Sequence, residues 1–253
     1  AQAIFKSWFV DFDPVRAKAA GEQPPGLTPD IADLFPGAFE ESELGEIPKG
    51  WQIKSLDRIA RYQNGLALQK YPPENDEFLP VIKIRELRQG SGDGKSGRAS
   101  PNIREDCIIE DGDIILSWSG SLLVDIWCGG RGALNQHLFK VTSAKYPRWF
   151  YYHWTRHHLA EFQRIAAGKA TTMGHIKRQH LSEALVAVPA DRVLEGTGKI
   201  IEPVIQSIVS NNLQSRTLIE LRDTLLPRLI SGELRVPDVT ERSTNERHCN
   251  TKA

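Results

Sequence analysis

Gly112–Ser121 reads GDIILSWSGS, and the run Asp113–Trp118 within it follows a turn at Gly112 and reads as a β-strand. Cys107–Ile109 precedes the same turn and reads as a second strand, so a hairpin is expected there. Short runs of this kind continue outward in both directions. Pro80–Ile84 (PVIKI) lies upstream, and Leu122–Trp127, Leu138–Val141 and Leu185–Pro189 (LVAVP) lie downstream. Glycines separate them, as turns separate strands. One segment breaks the pattern. In Arg148–Ile165, residues Phe150, Trp154, His158, Phe162 and Ile165 fall at helical spacing, predicting a helix with one apolar face. Gly168–Gly174 then closes that helix with a polar, basic loop.

The flanks have a different texture. Upstream, Ile4, Phe5, Trp8, Phe9 and Phe12 recur at helical spacing, predicting a short helix that must pack on something else to be stable. Asp13-Pro14 ends or bends it, because a residue before proline avoids the helical region. Residues 21–50 are rich in proline and glycine and read as an extended connector. Downstream, Ile201, Val204, Ile205, Ile208, Ile219, Leu226 and Leu229 recur at threes and fours through residues 193–232, with Pro203 placed early, where a helix tolerates it. A helix of about 30 residues spans roughly 45 Å. That is too long to bury wholly on the neighbouring domain, so coiled-coil pairing with another helix is expected. The expected fold class is therefore α+β. A helical stub (1–20) and a linker (21–50) lead into one mixed domain (51–190), followed by a long coiled-coil-forming helix (191–237) and a disordered polar tail (238–253).

With 253 residues, 40% of them apolar and 25% charged, the chain has the composition of an ordinary globular protein. No apolar run approaches the ~20 residues that cross a bilayer, so no membrane partner is expected. Three separated cysteines, Cys107, Cys128 and Cys249, make no zinc pattern or disulfide framework, and a reducing, cytoplasmic location is expected. The chain opens at Ala1 inside a helical pattern, which reads as the downstream part of something longer. Net charge is zero, but residues 1–50 balance at −5 and residues 51–190 at +5. The middle of the chain can therefore offer a positive face to phosphates.

Reading DNA takes Arg and Lys at phosphates, and Arg, Lys, Asn, Gln, Ser or Thr at base edges. Lys83, Arg85, Arg88, Lys95 and Arg98 gather around the glycine-rich RQGSGDGKSGR (Arg88–Arg98), which reads either as a DNA-facing loop or as a solvated surface loop. Lys169, Thr171, Thr172, Lys177 and Arg178 form a second basic group, and Lys70 with Gln69 follows the turn at Asn64-Gly65. Asn135 and Gln136 have the chemistry to read adenine, yet they adjoin a strand, where polar side chains commonly satisfy backbone groups; a structural role is favoured for both.

Apparent catalytic signals fail on context. His153 and His157 have the i, i+4 spacing of a zinc pair but lack the accompanying glutamate, and their face is aromatic. Trp118-Ser119-Gly120-Ser121 is not a nucleophile elbow. Gly129-Gly130-Arg131-Gly132 lacks the lysine of a phosphate loop. Asp111 and Asp113 read as turn residues. No catalytic residue, metal or cofactor is expected. A hydrolase using Ser or His and a coiled-coil adaptor with a non-binding domain are the competing classes; the adaptor would show no salt-dependent DNA affinity.

Several segments in order resemble the specificity subunit of Type I restriction–modification systems, in its downstream half. AQAIFKSWFVDFDPVRAK (Ala1–Lys18) looks like the end of that family's central helix, and SELGEIPKGW (Ser42–Trp51) like the entrance to its second target-recognition domain. GDIILSWSGS, LNQHLFKV (Leu134–Val141) and MGHIKRQHL (Met173–Leu181) follow in the family's order, and LLPRLISGEL (Leu225–Leu234) is similar to its closing helix. The resemblance implies a non-catalytic reader of one half of a split site in double-stranded DNA. It also implies a helical ruler that docks modification and restriction subunits, to which adenine methylation and DNA cleavage belong. The first recognition domain has no counterpart here, so a homodimer or a second half-subunit is a further expected partner. Helix pairing falls on Phe5, Trp8, Phe9, Ile201, Ile205, Ile208, Ile219 and Leu226.

Overall fold

The computed structural model describes residues 1–168 and 174–235. The expected basic loop at Gly168–Gly174 and the expected disordered tail therefore lie almost wholly outside the described residues. The described residues divide into two compact units, with the division falling between Ser210 and Asn211.

The chain opens with α1 (Gln2–Phe5), continued by a π-helical turn over Lys6–Val10. Phe12 then takes a left-handed conformation with φ 58°, and α2 (Asp13–Ala19) starts with Pro14 in its first turn. The break thus falls one residue before Asp13-Pro14, because proline suits the first turn of a new helix and Phe12 carries the bend. The aromatic face is spent inside the protein. Phe5 is 2% exposed and Phe9 0%, with Phe9 ring centroids 5.8 Å from Trp51 and 5.4 Å from Trp149.

Residues 21–50 depart from the extended connector expected of them. They form α3 (Pro29–Ala32) and an antiparallel hairpin, β1 (Phe39–Ser42) with β2 (Gly45–Pro48). Leu27, Ile31, Phe35 and Ile47 are buried, and Phe35 meets Trp8 at 6.1 Å. Prolines and glycines here punctuate short packed pieces; the apolar residues between them decide the outcome.

The mixed domain follows as β3 (Gln52–Ser55), α4 (Leu56–Ile59), β4 (Arg61–Asn64) and β5 (Leu79–Ile82). It continues through α5 (Ile84–Gln89), β6 (Arg98–Ala99), β7 (Ile108–Ile109), β8 (Ile114–Ser117), β9 (Val124–Ile126), β10 (Gly132–Leu134) and β11 (Leu138–Thr142). Last come α6 (Arg148–Ala167), α7 (Arg178–Glu183) and β12 (Leu185–Val188). Two four-stranded sheets result, ordered β6-β5-β10-β7 and β4-β11-β8-β9, and β12 pairs with β3. The expected PVIKI strand stops at Ile82, because the Glu86 carboxylate accepts the Lys83 backbone N–H at 3.1 Å and starts α5 there.

The hairpin expected around Gly112 does not form. β7 pairs with β10, whereas β8 pairs with β9 and β11, so the two runs belong to different sheets. Both runs are buried on both faces, and without an apolar–polar alternation nothing local specifies which neighbour each takes. Helix α6 also departs from a single apolar face: Trp149 to Thr155 are buried without interruption, because β9, α4 and the N-terminal aromatic segment surround its first half.

Helix α8 runs Asp191–Ile230, forty residues. Pro203 therefore stands inside the helix, not near its start. It is exposed, so the carbonyl that loses its N–H partner can turn to water. Gly196 lets the helix approach the 21–50 segment, since a Cβ there would fall 2.1 Å from Leu34 Cδ1. Ile201 and Ile205 are fully buried in the first unit. Among the described residues no helix is long and apolar enough to cross a membrane.

Candidate nucleic-acid interface

Strand register gathers the loops of the mixed domain at one end. Leu138 faces Ser117 and Phe139 faces Asn64, so β4 and β8 finish where β11 begins. Leu134 lies beside Ile82 in a parallel pair, which brings the ends of β5 and β10 together. Residues 135–137 join β10 to β11 and link the two groups. Gly65 makes the junction possible, since a Cβ there would sit 2.3 Å from the carbonyl oxygens of both Leu134 and Asn135. The segment 174–176 joins the same edge through Gly120 N–H to Gly174 O at 2.7 Å and Ile176 N–H to Trp118 O at 2.9 Å.

A cleft of about 400 Å³ opens there, lined by Gln69, Lys83, Ile84, Arg85, Asn135, Gln136 and His137. Its floor is rigid. Gln136 donates its backbone N–H to Leu66 O at 2.9 Å and accepts the Trp118 indole N–H at 3.1 Å. His137 Nδ1 lies 2.9 Å from the Ser119 hydroxyl, and its ring faces Trp118 at 5.8 Å. Asn135 is 8% exposed, and its Oδ1 accepts the His137 backbone N–H at 3.2 Å, the structural role expected of it. Close by, the Asn64 side-chain oxygen is buried without a partner. A second cavity of about 500 Å³ is bordered by Arg88, Gly120, Ser121, Gln163 and Gly174.

The expected cations divide into free and committed groups. Lys70, Lys83, Arg88, Lys95 and Lys177 are exposed and enter no ion pair among the described residues. Arg85 is committed: it bonds the Glu86 carboxylate at 2.9 Å and Asp93 at 2.9 Å. These two carboxylates push its pKa further up. Glu86 is 2% exposed. Burial pushes its carboxyl up, but the Arg85 guanidinium and backbone N–H groups outweigh that and hold it below the ordinary carboxylate range. Arg85 thus anchors the 90–97 loop through Asp93. Arg98 stacks over Phe78 at 4.2 Å. Arg178 donates to Tyr62 O at 3.2 Å and covers the Phe139 ring. Lys169, Thr171 and Thr172 lie outside the described residues.

The expected pairing residues also divide. Phe5, Trp8, Phe9, Ile201 and Ile205 are buried within the first unit, where Phe5 and Phe9 pack against Trp149 and Phe150 and Trp8 against Phe35. Ile208, Ile219 and Leu226 are 42%, 50% and 49% exposed. Ring packing also accounts for the histidine pair of α6: His153 stacks on Phe5 at 5.0 Å and His157 meets Trp154 edge-on. The residues that sequence reasoning missed are Trp118, Ser119 and His137. Gln136 next to a histidine was their one visible signal.

Residues 48–221 match the family described as the Type I restriction modification DNA specificity domain, and the chain belongs to that family. It is similar to the MjaIX specificity subunit of Methanocaldococcus jannaschii, 26% identical over 250 residues, covering 94% of this chain and 53% of that protein. It is also similar to the HindI specificity subunit of Haemophilus influenzae, 25% identical over 283 residues, covering 92% of this chain and 61% of that protein. The chain spans a little over half the length of these curated relatives. Among solved structures, the HsdS subunit from Thermoanaerobacter tengcongensis matches with a TM-score of 0.46 at 12% identity, over 92% of this chain and 53% of that one. The S subunit from M. genitalium matches with a TM-score of 0.45 at 17% identity, over 72% of this chain and 46% of that one.

Proposed function

We propose that this chain reads one half of a bipartite site in double-stranded DNA as part of a cytoplasmic Type I restriction–modification complex, and performs no catalysis itself. The observation that carries this reading is the strand-end edge. There, exposed Lys70, Lys83 and Lys177 carry no ion pair among the described residues, beside a cleft lined by Gln69, Gln136 and His137. Cations free of carboxylates release counterions on meeting phosphates, and amides can discriminate base edges. Residues 51–190 serve as the target-recognition domain and residues 191–237 as the spacer helix.

The exposed apolar residues of α8, among them Ile208, Ile219, Leu225 and Leu226, are available to a second helix. That helix belongs to a second copy or a second half-subunit, and the pair docks the modification and restriction subunits. Among the described residues no group of three His, Cys, Asp or Glu is placed to hold a metal, and the proposed role needs none. The test is selection of random duplexes by the chain assembled with its modification subunit, followed by binding at several salt concentrations. Enrichment of one short half-site with salt-dependent affinity is expected. Capture of the modification subunit with no enriched sequence would leave only a scaffold.

A further inference from the structure

The strand-end cleft contains one side chain whose arrangement goes beyond general DNA affinity. We infer that Gln136 reads an adenine edge in the major groove; this inference rests on the DNA-reading function proposed above. Its backbone is held on both sides, by Leu66 O at 2.9 Å and by the Trp118 indole at 3.1 Å. The side chain is held as well, with Nε2 3.4 Å from His137 Nε2. The other ring nitrogen of that histidine is engaged by Ser119 at 2.9 Å, and Ser119 is 3% exposed. Gln136 itself is half-buried, and its Oε1 and second amide hydrogen have no partner among the described residues.

An acceptor and a donor side by side on one planar amide match the N6 donor and N7 acceptor of adenine, and no other base presents that pair in the major groove. Neighbouring Asn135 is less suited to the task, because it is 8% exposed and its Oδ1 already accepts the His137 N–H at 3.2 Å. Lys83 on the rim of the same cleft supplies a positive contact for the adjoining phosphate. Binding therefore costs Gln136 little ordering entropy, since packing has already fixed its backbone and one side of its amide.

The experiment is random-duplex selection by the full chain assembled with its modification subunit, comparing wild type, Gln136→Ala and Gln136→Glu at matched thermal stability. For Gln136→Ala the expected result is a loss of preference of about 5- to 150-fold at one adenine position, with the other positions unchanged. For Gln136→Glu the preferred base at that position should become cytosine, whose N4 amine donates to a carboxylate. A wild-type site retained unaltered by both variants overturns the inference alone, as does a uniform loss of affinity across all sequences. A wild-type complex that enriches no sequence overturns the DNA-reading function and the inference with it.

Discussion

Trp118 donates its indole N–H to the backbone carbonyl of Gln136 at 3.1 Å, tying the loop after β8 to the turn between β10 and β11. The same ring lies 5.9 Å from Phe139, so packing and hydrogen bonding fix the cleft floor together. Trp118→Phe keeps an aromatic ring but removes the donor. A stability loss of about 1 kcal/mol is expected. Base preference at one position should relax by a larger factor than overall affinity falls. Thermal melts and duplex selection on the same protein check both halves.

Lys83 and Lys70 differ from Arg85 in having no ion-pair partner among the described residues. Each replacement by Ala should reduce the slope of log affinity against log salt by about 0.9 for the phosphate contact it removes. The melting temperature should not move. An unaltered slope would place that lysine away from the duplex.

Arg85→Ala should act through the fold instead. It leaves the Glu86 carboxylate, 2% exposed, without its guanidinium and releases Asp93. A lower melting temperature is expected. DNA affinity should fall through loosening of the 90–97 loop, with a smaller change in salt slope than the two lysines give. A protein of wild-type stability with a reduced slope would return Arg85 to the phosphate-contacting group.

His153 gives the protein an acid-side weakness. Burial first of all lowers its pKa from 6.5 to about 4, and both ring nitrogens are buried without partners. The unfolded chain binds a proton below pH 6.5 while the native state does not. Its stabilising contribution is therefore complete above pH 6.5 and is lost as pH falls towards 4, by about 3 kcal/mol. His157 and His158 are shifted down as well, again chiefly by burial, so they act in the same direction. His153→Phe should flatten part of the fall in melting temperature between pH 6.5 and 4. Identical pH profiles would mean that the ring titrates normally in the folded protein.

Leu226→Asp changes a side chain that is 49% exposed. It should abolish assembly with the second helix while leaving the melting of residues 1–210 unaltered. Ile205→Asp, at a fully buried position, should lower that melting temperature itself. Sedimentation and calorimetry separate the two effects. Assembly that survives Leu226→Asp would move the docking face elsewhere.

Local pattern was enough to determine the alternation of short strands, the helix beginning at Arg148, the long terminal helix and the ordered segments that mark the family. Those features depend on periodicity, which is carried by residues close together in the chain. Strand partners were not legible, because Ile108–Ile109 and Ile114–Ser117 are equally buried and pairing is a long-range choice. The same holds for charge. Arg85 and Lys83 are alike as basic residues, and only the folded 90–97 loop, bringing Asp93 within 2.9 Å of Arg85, separates an internal ion pair from a free cation. Phe5 and Leu226 are alike as members of apolar stripes, and tertiary packing alone buried the first and left the second exposed. Asn135 and Gln136 carry the same adenine-reading chemistry in the sequence, and only the convergence of three separate segments set them apart, burying Asn135 and leaving Gln136 half-buried, since what a side chain can offer depends on which of its hydrogen-bonding groups the fold has already used.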